Sequence, residues 1–299
     1  MSTSATITTA FRQQFHDSYI HALQQKESRF QSRVVDRGMI NGSSFTTNNV
    51  GSVEAKAVTG RYQDKQADEV SHATRLAYMA DFDIGPIVVD GFDLPKLVAD
   101  PTYKYVEMLV AAANRRKDAT IYRALLDSAM ERTEDGGTLT GIAIPAGQQI
   151  AAGGTGFTKA KIIKALELFR ANECDHENGE TLYMAYNSVA VRQILSDTTL
   201  TSADFMAVKM LQEGRLTDRW CGFMWIPYER MDVPSASVAR AVAWAGTAVQ
   251  YGTGINVKTD VSENKNKRGH PTEAYAYLSL GAVRQDEKKV VQLDFATNV

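Results

Sequence analysis

The chain has 299 residues, of which 44% are hydrophobic and 23% are charged, and its formal net charge is −2 at pH 7. This balance excludes a protein that wraps nucleic acid over a broadly basic surface, although a local basic patch stays open. The sequence has no apolar run near the roughly 18 residues that cross a membrane, and residues 1–10 carry no secretory signal. The two cysteines, Cys174 and Cys221, are far apart, which indicates neither a disulfide framework nor a zinc ribbon.

The N-terminal part of the chain predicts one helix followed by extended, polar segments. Residues 11–33 place large apolar side chains near helical spacing, and their narrow apolar stripe favours docking on another surface. Residues 34–70 are rich in Gly, Ser, Thr and Asn, and alternating pieces such as 52–58 predict strands exposed on both faces. We interpret this segment as a two-stranded ribbon that needs a partner surface, for example on another chain. Residues 76–90 predict a further strand, whose apolar end at 87–89 should be buried.

Residues 102–131 predict one unusually long helix. An Asp-Pro pair precedes it, as is typical of a helix start, and neither Gly nor Pro interrupts it. Such a helix would be about 45 Å long, whereas helices of globular proteins average about 11–12 residues. Its middle carries Arg115, Arg116 and Lys117. Three neighbouring cations usually form a solvated face, and the alternative is an interface or a phosphate contact.

The remainder of the chain predicts a mixed α/β region. Residues 159–172 form its clearest helix, with Thr158 as the predicted N-cap. Further helices are predicted at 188–196 and 203–212. Strands, some with turns, are predicted at 140–150, 182–186, 220–228, 239–245, 254–261, 274–281 and 289–295.

No segment carries a recognisable catalytic, cofactor or metal motif. The glycine-rich residues 153–156 lack the Lys of a P-loop and the third Gly of a dinucleotide fingerprint, so we interpret them as a hinge. Residues 174–177 bring Cys, Asp, His and Glu together, but no nearby residue completes a four-ligand zinc site. The basic residues 265–268 lie among Asn and Gly, which favours an exposed turn over a nucleic-acid patch. We therefore predict a protein that is not an enzyme and that uses no cofactor or metal.

Several short motifs follow one another in a characteristic order. They are Phe-Arg-Gln-Gln-Phe at 11–15, Gln-Gln-Lys-Glu-Ser-Arg at 24–29, Asp-Pro-Thr at 100–102, Leu-Ser-Leu-Gly-Ala-Val-Arg at 278–284 and Val-Val-Gln-Leu-Asp at 290–294. Together with the order of elements, they resemble the major capsid proteins of tailed bacteriophages, which have the Hong Kong ninety-seven-like fold. The resemblance covers nearly the whole chain. It implies an α+β fold with an N-terminal arm, an extended β-ribbon loop, a peripheral domain with a long spine helix, and an α/β axial domain.

The resemblance also implies a domain organisation and a function. The arm would be residues 1–33, the extended loop 34–80, the peripheral domain 81–152 with 263–299, and the axial domain 153–262. The chain would self-assemble through hexamers and pentamers into the icosahedral head shell of a tailed phage, enclosing double-stranded DNA without sequence-specific binding. It would be found in the virion after assembly in the host cytoplasm, with no membrane partner. Separate scaffolding and portal proteins are implied, and a decoration protein is left open.

The candidate intersubunit contacts are aromatic and basic residues of the arm, the loop and the spine helix, namely Phe11, Phe15, Lys56, Arg61, Arg115, Arg116 and Lys117. Covalent cross-linking through Lys56 or Lys65 is left open, because no motif singles out either lysine. We expect removal of residues 42–61 to leave a folded subunit that cannot form shells. Two alternatives remain, an encapsulin-type nanocompartment shell protein and a soluble α/β enzyme with a lid at 34–80.

Overall fold

The computed structural model describes residues 25–57, 60, 68–89, 102–134, 136–196, 216 and 219–299. In these residues the helices are α1 (Thr102–Leu126), α2 (Lys159–Ala171) and α3 (Ser188–Ser196), with short 3-10 turns at Gln31–Arg33, Ala146–Gln148 and Glu287–Lys289. The strands are β1 (Val35–Met39), β2 (Ser44–Val50), β3 (His72–Tyr78), β4 (Ala80–Val89), β5 (Ala129–Arg132), β6 (Thr140–Ile142), β7 (Gln149–Ile150), β8 (Leu182–Tyr186), β9 (Arg219–Trp220), β10 (Phe223–Pro227), β11 (Val238–Ala245), β12 (Val249–Glu263), β13 (Thr272–Arg284) and β14 (Val290–Ala296).

These strands form three sheets. The largest has the order β7-β14-β11-β8-β10-β9 and is mixed, since β8 and β10 are parallel while β11 is antiparallel to both β8 and β14. A second sheet has the order β2-β3-β5-β6, with antiparallel neighbours throughout. The third has the order β1-β12-β13-β4, and β1 is parallel to β12. Several sheets with few helices confirm the predicted α+β class.

The chain divides into two compact units. The smaller unit contains residues 1–27, 82–114 and 257–278, and the larger contains residues 28–81, 115–256 and 279–299. In the smaller unit, Tyr105 and Leu109 of α1 pack against Ala274 and Ala276 of β13 and against Ile84 of β4. The small alanine side chains let the helix lie close to the strand, which buries the larger apolar groups between them.

The larger unit is built around the six-stranded sheet. Strand β8 is buried at every position and β11 at nearly every position, which is typical of strands that are covered on both faces. Trp244 of β11 is fully buried, and its ring centroid lies 5.3 Å from that of Phe30 and 5.7 Å from that of Tyr183. Its indole nitrogen donates to the carbonyl oxygen of Arg33 at 3.1 Å. Aromatic packing and this hydrogen bond therefore fix the segment around Phe30 to the sheet.

The long helix is confirmed, but it ends at Leu126 instead of Glu131. Its 25 residues make it about 37 Å long. The chain turns after Leu126, and Ala129–Arg132 then forms strand β5, which pairs with β3 and β6. The sequence Ala-Met-Glu-Arg favours a helix locally, so pairing with two neighbouring strands outweighs the local propensity here.

The predicted helix at 11–33 is wrong over its described part. Residues 25–30 are not helical, and only a 3-10 turn at Gln31–Arg33 follows them. The reason is a tertiary contact, since the Asp118 carboxylate accepts the backbone N–H groups of Arg29 and Phe30, which a helix would direct elsewhere. Residues 11–24 of this predicted helix lie outside the described residues, as does the helix predicted at 203–212.

The two-stranded ribbon predicted within 34–70 is confirmed only in part. Strand β2 lies in that range, but its partner β3 begins after it, at His72, and the alternating piece at 52–58 forms no strand over its described residues. Strand β2 is also not exposed on both faces, because its Phe45 and Thr47 are buried. The apolar end of β4 is only partly buried, since Val88 remains 43% exposed.

Two further expectations are corrected in detail. The strand predicted at 220–228 is divided into β9 and β10 by a turn in which Cys221 and Gly222 both have positive φ, of 51° and 80°. Thr158 precedes α2 as expected, but its side chain makes no capping hydrogen bond. Across the described residues, we find no helix that is both long and apolar enough to cross a membrane.

Candidate assembly site

The base of the predicted extended loop is a short antiparallel ribbon made of β2 and β3, which we call the ribbon root. Its register runs from Ser44 opposite Tyr78 to Val50 opposite His72. A further backbone hydrogen bond, from the N–H of Gly51 to the carbonyl oxygen of Ser71 at 2.8 Å, follows the last pair. Strand β3 also pairs with β5, so the ribbon root is one edge of a four-stranded sheet.

A group of four charges, two buried arginines and two partly buried glutamates, lies beside the ribbon root, and we call it the ion cluster. It consists of Arg75, Glu131, Arg284 and Glu287. Arg75 of β3 is 3% exposed, and its two terminal nitrogens donate to the two carboxylate oxygens of Glu287 at 2.5 and 2.7 Å. Its Nε donates to Glu131 of β5 at 2.9 Å. Because Arg75 uses its planar fork on one carboxylate and its Nε on another, its orientation is fixed.

Arg284 completes the ion cluster and also caps the C-terminal end of α1. This side chain is fully buried, and its Nε donates to Glu287 at 3.2 Å. Its terminal nitrogens donate to the carbonyl oxygens of Leu125, Asp127 and Ile142 at 2.7–2.9 Å. The last carbonyl groups of a helix lack partners within the helix, so Arg284 supplies partners where α1 ends.

The electrostatics of the ion cluster keep the Glu287 carboxylate charged. Burial alone would raise the pKa of Glu287, but the hydrogen bonds and charge of Arg75, together with the charge of Arg284, outweigh burial and lower that pKa below its usual 4.5. For Arg75, burial lowers the pKa and the two carboxylates raise it, with a net rise. Burial lowers the pKa of Arg284. Two positive and two negative groups therefore compensate one another away from water.

The turn at 284–287, between β13 and β14, holds both strands of the ribbon root. The carbonyl oxygen of Arg284 accepts from Arg75 of β3 at 3.0 Å. The carbonyl oxygen of Gln285 accepts from the side-chain amide of Asn49, on β2, at 2.6 Å. The turn is itself fixed, because the N–H of Gln285 donates to Ala248 at 2.8 Å and the Asp286 carboxylate accepts the N–H of Lys288 at 2.9 Å.

A second contact with the ribbon root is made by three glycines of β12 and β13, which we call the glycine socket. They lie against side chains of the root and of the residues next to it. They are Gly252, Gly254 and Gly281. A Cβ at Gly252 would lie 3.1 Å from the Phe45 ring, and one at Gly281 would lie 2.7 Å from the Met79 sulfur. Distances this short mean that any larger residue would displace these side chains, so glycine is what allows the close approach.

The end of the predicted arm is attached to Asp118, near the middle of α1. Its fully buried carboxylate accepts from the Ser28 hydroxyl at 2.6 Å and from the N–H groups of Arg29 and Phe30 at 3.0–3.1 Å. Phe30 itself is fully buried, and its ring centroid lies 4.8 Å from that of Tyr228. This arrangement fixes the chain where the predicted arm joins the larger unit.

The predicted intersubunit contacts are placed only in part. Lys56 is exposed and forms an ion pair with Asp68. Arg115 and Arg116 are half-buried, and burial lowers the pKa of each. Phe11, Phe15 and Arg61 lie outside the described residues. A role of these six residues in contacts between subunits stays a prediction.

Lys117 differs from its neighbours because it is only 8% exposed. Its Nζ lies 3.5 Å from the side-chain oxygen of Gln31, and the charges of Asp36 and Asp118 attract it. Burial nevertheless dominates and lowers its pKa. An intersubunit role for Lys117 also stays a prediction.

Sequence reasoning missed Asp118 and the whole ion cluster. Arg75 and Glu287 are 212 positions apart, so no local pattern brings them together. The available signals were weak, namely a carboxylate within the helix beside three cations and an Arg-x-x-Glu spacing at 284–287. Within the described part of the chain, no group of three or more His, Cys, Asp or Glu side chains is arranged to hold a metal ion.

A cavity of about 510 Å³ lies beside the ion cluster. It is lined by residues 49–52 and 286–288 and by Ser71, Ala73 and Arg75. Because Arg75 and Glu287 are already paired with each other, they offer a ligand little unused hydrogen-bonding capacity.

Comparisons with known proteins agree on one architecture. The capsid of Helicobacter pylori bacteriophage KHP30 matches with a TM-score of 0.73 and 11% identity, covering 99% of this chain and 99% of that one. The capsid asymmetric unit of cyanophage Pam1 gives 0.72 and 11%, covering 97% of each chain. The capsid of cyanophage P-SCSP1u gives 0.68 and 16%, covering 96% of this chain and 93% of that one. These likenesses confirm the predicted Hong Kong ninety-seven-like fold.

The sequence itself was also compared with curated proteins and with family models. No curated protein matches it. The model described as phage capsid protein matches residues 7–297, which is nearly the whole chain. The chain therefore belongs to the phage capsid protein family.

Proposed function

We propose that the chain is the major structural subunit of the icosahedral head shell of a tailed bacteriophage, and that the shell encloses double-stranded DNA. The observation that carries this proposal is the family match over residues 7–297, to which the fold adds support. The role is structural rather than catalytic. In the described residues, the buried charges that could have suggested catalysis are instead paired with one another or with backbone carbonyl groups.

Assembly through hexamers and pentamers is supported by apolar side chains that the single chain leaves in water. Met39, Val50, Val53 and Tyr78 lie in the predicted extended loop, and each is more than half exposed. Such groups gain from burial against another surface. We infer that the loop packs against a neighbouring subunit and thereby buries these residues. In a closed symmetric shell, every subunit would make this same contact with its neighbour.

We retain the domain organisation as a proposal, with one adjustment. The boundaries at 152/153 and 262/263 divide the six-stranded sheet, because β7 precedes residue 153 and β14 follows residue 262. We propose that these two strands belong with the segment 153–262. The arm at 1–33 and the extended loop at 34–80 keep their predicted bounds.

The finer partners follow from the proposed role. We infer that a separate scaffolding protein guides assembly in the host cytoplasm, that a portal protein occupies one vertex, and that the finished protein resides in the virion. A decoration protein stays open. Neither an encapsulin-type compartment nor an enzyme with a lid at 34–80 is favoured by the family match.

Electron microscopy of the expressed protein tests the proposal. We expect closed shells built from a repeating subunit lattice. A protein that remains monomeric in light scattering at every accessible concentration would overturn the proposal. Particles isolated from their natural source would separate the shell types, because packaged DNA indicates a phage head whereas protein cargo without DNA indicates a compartment.

A further inference from the structure

We propose that Arg75 and Glu287, through the turn at 284–287, are positioning residues that set the direction in which the extended loop leaves the subunit, and thereby the curvature of the shell. This inference rests on the proposed function, since it names residues that control assembly geometry. It does not require either side chain to touch a neighbouring subunit.

The first argument is that the turn holds both strands of the ribbon root at nearly the same level. Arg75 lies on β3 opposite Thr47, and Asn49 on β2 lies two residues further along. Arg75 binds Glu287 with two hydrogen bonds, and Asn49 binds the carbonyl oxygen of Gln285. Because each strand has its own contact with the turn, the ribbon cannot twist about its long axis without breaking one of them.

The second argument is that the glycine socket holds the other end of the ribbon root. Phe45 packs against Gly252 and Gly281, four positions along β2 from Asn49. In an extended strand, four residues span about 13 Å. One attachment point fixes only the position of a rigid ribbon, whereas two separated points also fix its direction. The ion cluster supplies the second point and so determines the angle of the ribbon.

The third argument is that the ion cluster is built for orientation more than for stability. Burying two arginines and partly burying two glutamates costs solvation free energy, and apolar residues of the same size would often be at least as stabilising. A bidentate Arg–carboxylate pair, in contrast, has one favoured geometry. Any rotation of the root would carry the rest of the extended loop with it, so a fixed angle at Arg75 becomes a fixed placement of the loop.

A second ion pair of the same unit provides a matched control. Arg240 of β11 and Asp294 of β14 form two hydrogen bonds, of 2.8 and 3.0 Å, within the six-stranded sheet. This pair is also partly buried and bidentate, but it lies on strands that do not pair with the ribbon root. Its removal should therefore affect folding without affecting the direction of the loop.

The experiment compares Glu287→Gln with Asp294→Asn. Hydrogen exchange of the amides at 44–50 and 72–78 should be at least about tenfold faster in E287Q than in the wild type, and unchanged in D294N. Electron microscopy should show shells of altered or widened diameter for E287Q and wild-type diameter for D294N. Shells of wild-type diameter with wild-type exchange in E287Q would overturn the proposal, as would an equal change of diameter in D294N.

Two further measurements keep the test decisive. If E287Q does not fold, Arg75→Lys retains the positive charge but loses the fork, and it should show the same faster exchange and altered shells. In the wild-type subunit, the amides at 44–50 should exchange at least about tenfold more slowly than those at 53–57, and equal rates would also overturn the proposal. If the wild type forms no shells, the proposed function fails, while exchange in the subunit still tests the positioning.

Discussion

Asp118 is the residue on which the attachment of the arm depends most. Its carboxylate satisfies a hydroxyl and two backbone N–H groups within the larger unit. Hydrogen bonds to a charged group contribute more than neutral ones, and donors left without partners after burial carry a desolvation cost. A neutral, shorter side chain at this position therefore removes several favourable contacts at once.

We predict that Asp118→Ala lowers the free energy of unfolding by about 3 kcal/mol, measured by urea denaturation. The matched control is Glu167→Ala, which removes a carboxylate from the exposed pair with Lys164 and should change stability by less than about 1 kcal/mol. A loss at Asp118 as small as that of the control would show that the three donors find other partners, such as water.

Glu287 gives the subunit a defined response to acid. Its pKa is lowered in the folded state, so the unfolded chain binds the proton more tightly than the folded chain does. Ionised Glu287 therefore stabilises the folded state at pH values above its ordinary pKa of 4.5. This stabilisation is lost as the pH falls through the lower pKa that Glu287 has in the folded state. The groups that face this carboxylate are Arg75 and Arg284, with Glu131 sharing Arg75.

We predict that the wild type loses stability progressively as the pH falls below about 4.5, and that this dependence is weaker in Glu287→Gln. Chemical denaturation at a series of pH values from neutral to acid measures it. Glu167→Gln, which removes an exposed carboxylate, should keep the pH dependence of the wild type. Identical pH profiles for E287Q and the wild type would contradict the assignment of the acid response to Glu287.

At the scale of elements, the local pattern predicts helices better than it predicts their limits. The bounds of α3 agree with the prediction at both ends, and those of α2 agree within one residue. The end of α1 was missed because Arg284, which accommodates the helix terminus, is 157 positions away from Asp127. Strand β5 was missed for a related reason, since its pairing partners and not its own residues make it a strand.

The ribbon root belongs to the core of its own subunit, which changes how the extended loop should be shortened. Removal of residues 42–61 would delete β2 and with it Phe45, which packs with Ala77, Ala129 and Val283. The expectation that such a variant still folds is therefore revised. A shorter replacement that begins after β2 and ends before β3 preserves this cluster.

We predict that replacing residues 53–67 with a short Gly-Ser linker leaves the melting temperature of the subunit nearly unchanged but abolishes shell formation. The ribbon root and the hydrogen bond between Gly51 and Ser71 are retained, whereas the exposed Val53 is lost. Calorimetry and electron microscopy measure the two effects. Wild-type shells from this variant would show that the loop is dispensable for assembly, and a large loss of melting temperature would place the loop in the core.

At the scale of the whole molecule, the sequence predicts the order of parts but not how they join. Motif order and the long helix lead to the capsid fold, which the comparisons confirm. The strand order β7-β14-β11-β8-β10-β9 places β14 beside β7, with Gln292 opposite Gln149, and no local period encodes such a pairing. The ion cluster also depends on contacts between distant segments. Its four charged side chains come together only when β3, β5 and the 284–287 turn have packed against one another.

The last prediction concerns the assembled particle. The single chain leaves large apolar side chains such as Val50 and Tyr78 exposed, and a state that buries them on neighbours is stabilised relative to the free subunit. We predict that shells unfold at a higher temperature than dissociated subunits at equal protein concentration, as measured by scanning calorimetry. The variant with residues 53–67 replaced should match the free wild-type subunit, because it lacks the segment that we propose to contact a neighbour. Equal melting temperatures for shells and free subunits would contradict the prediction. They would mean that contacts between subunits add little stability and that burial of the exposed loop residues does not stabilise the shell.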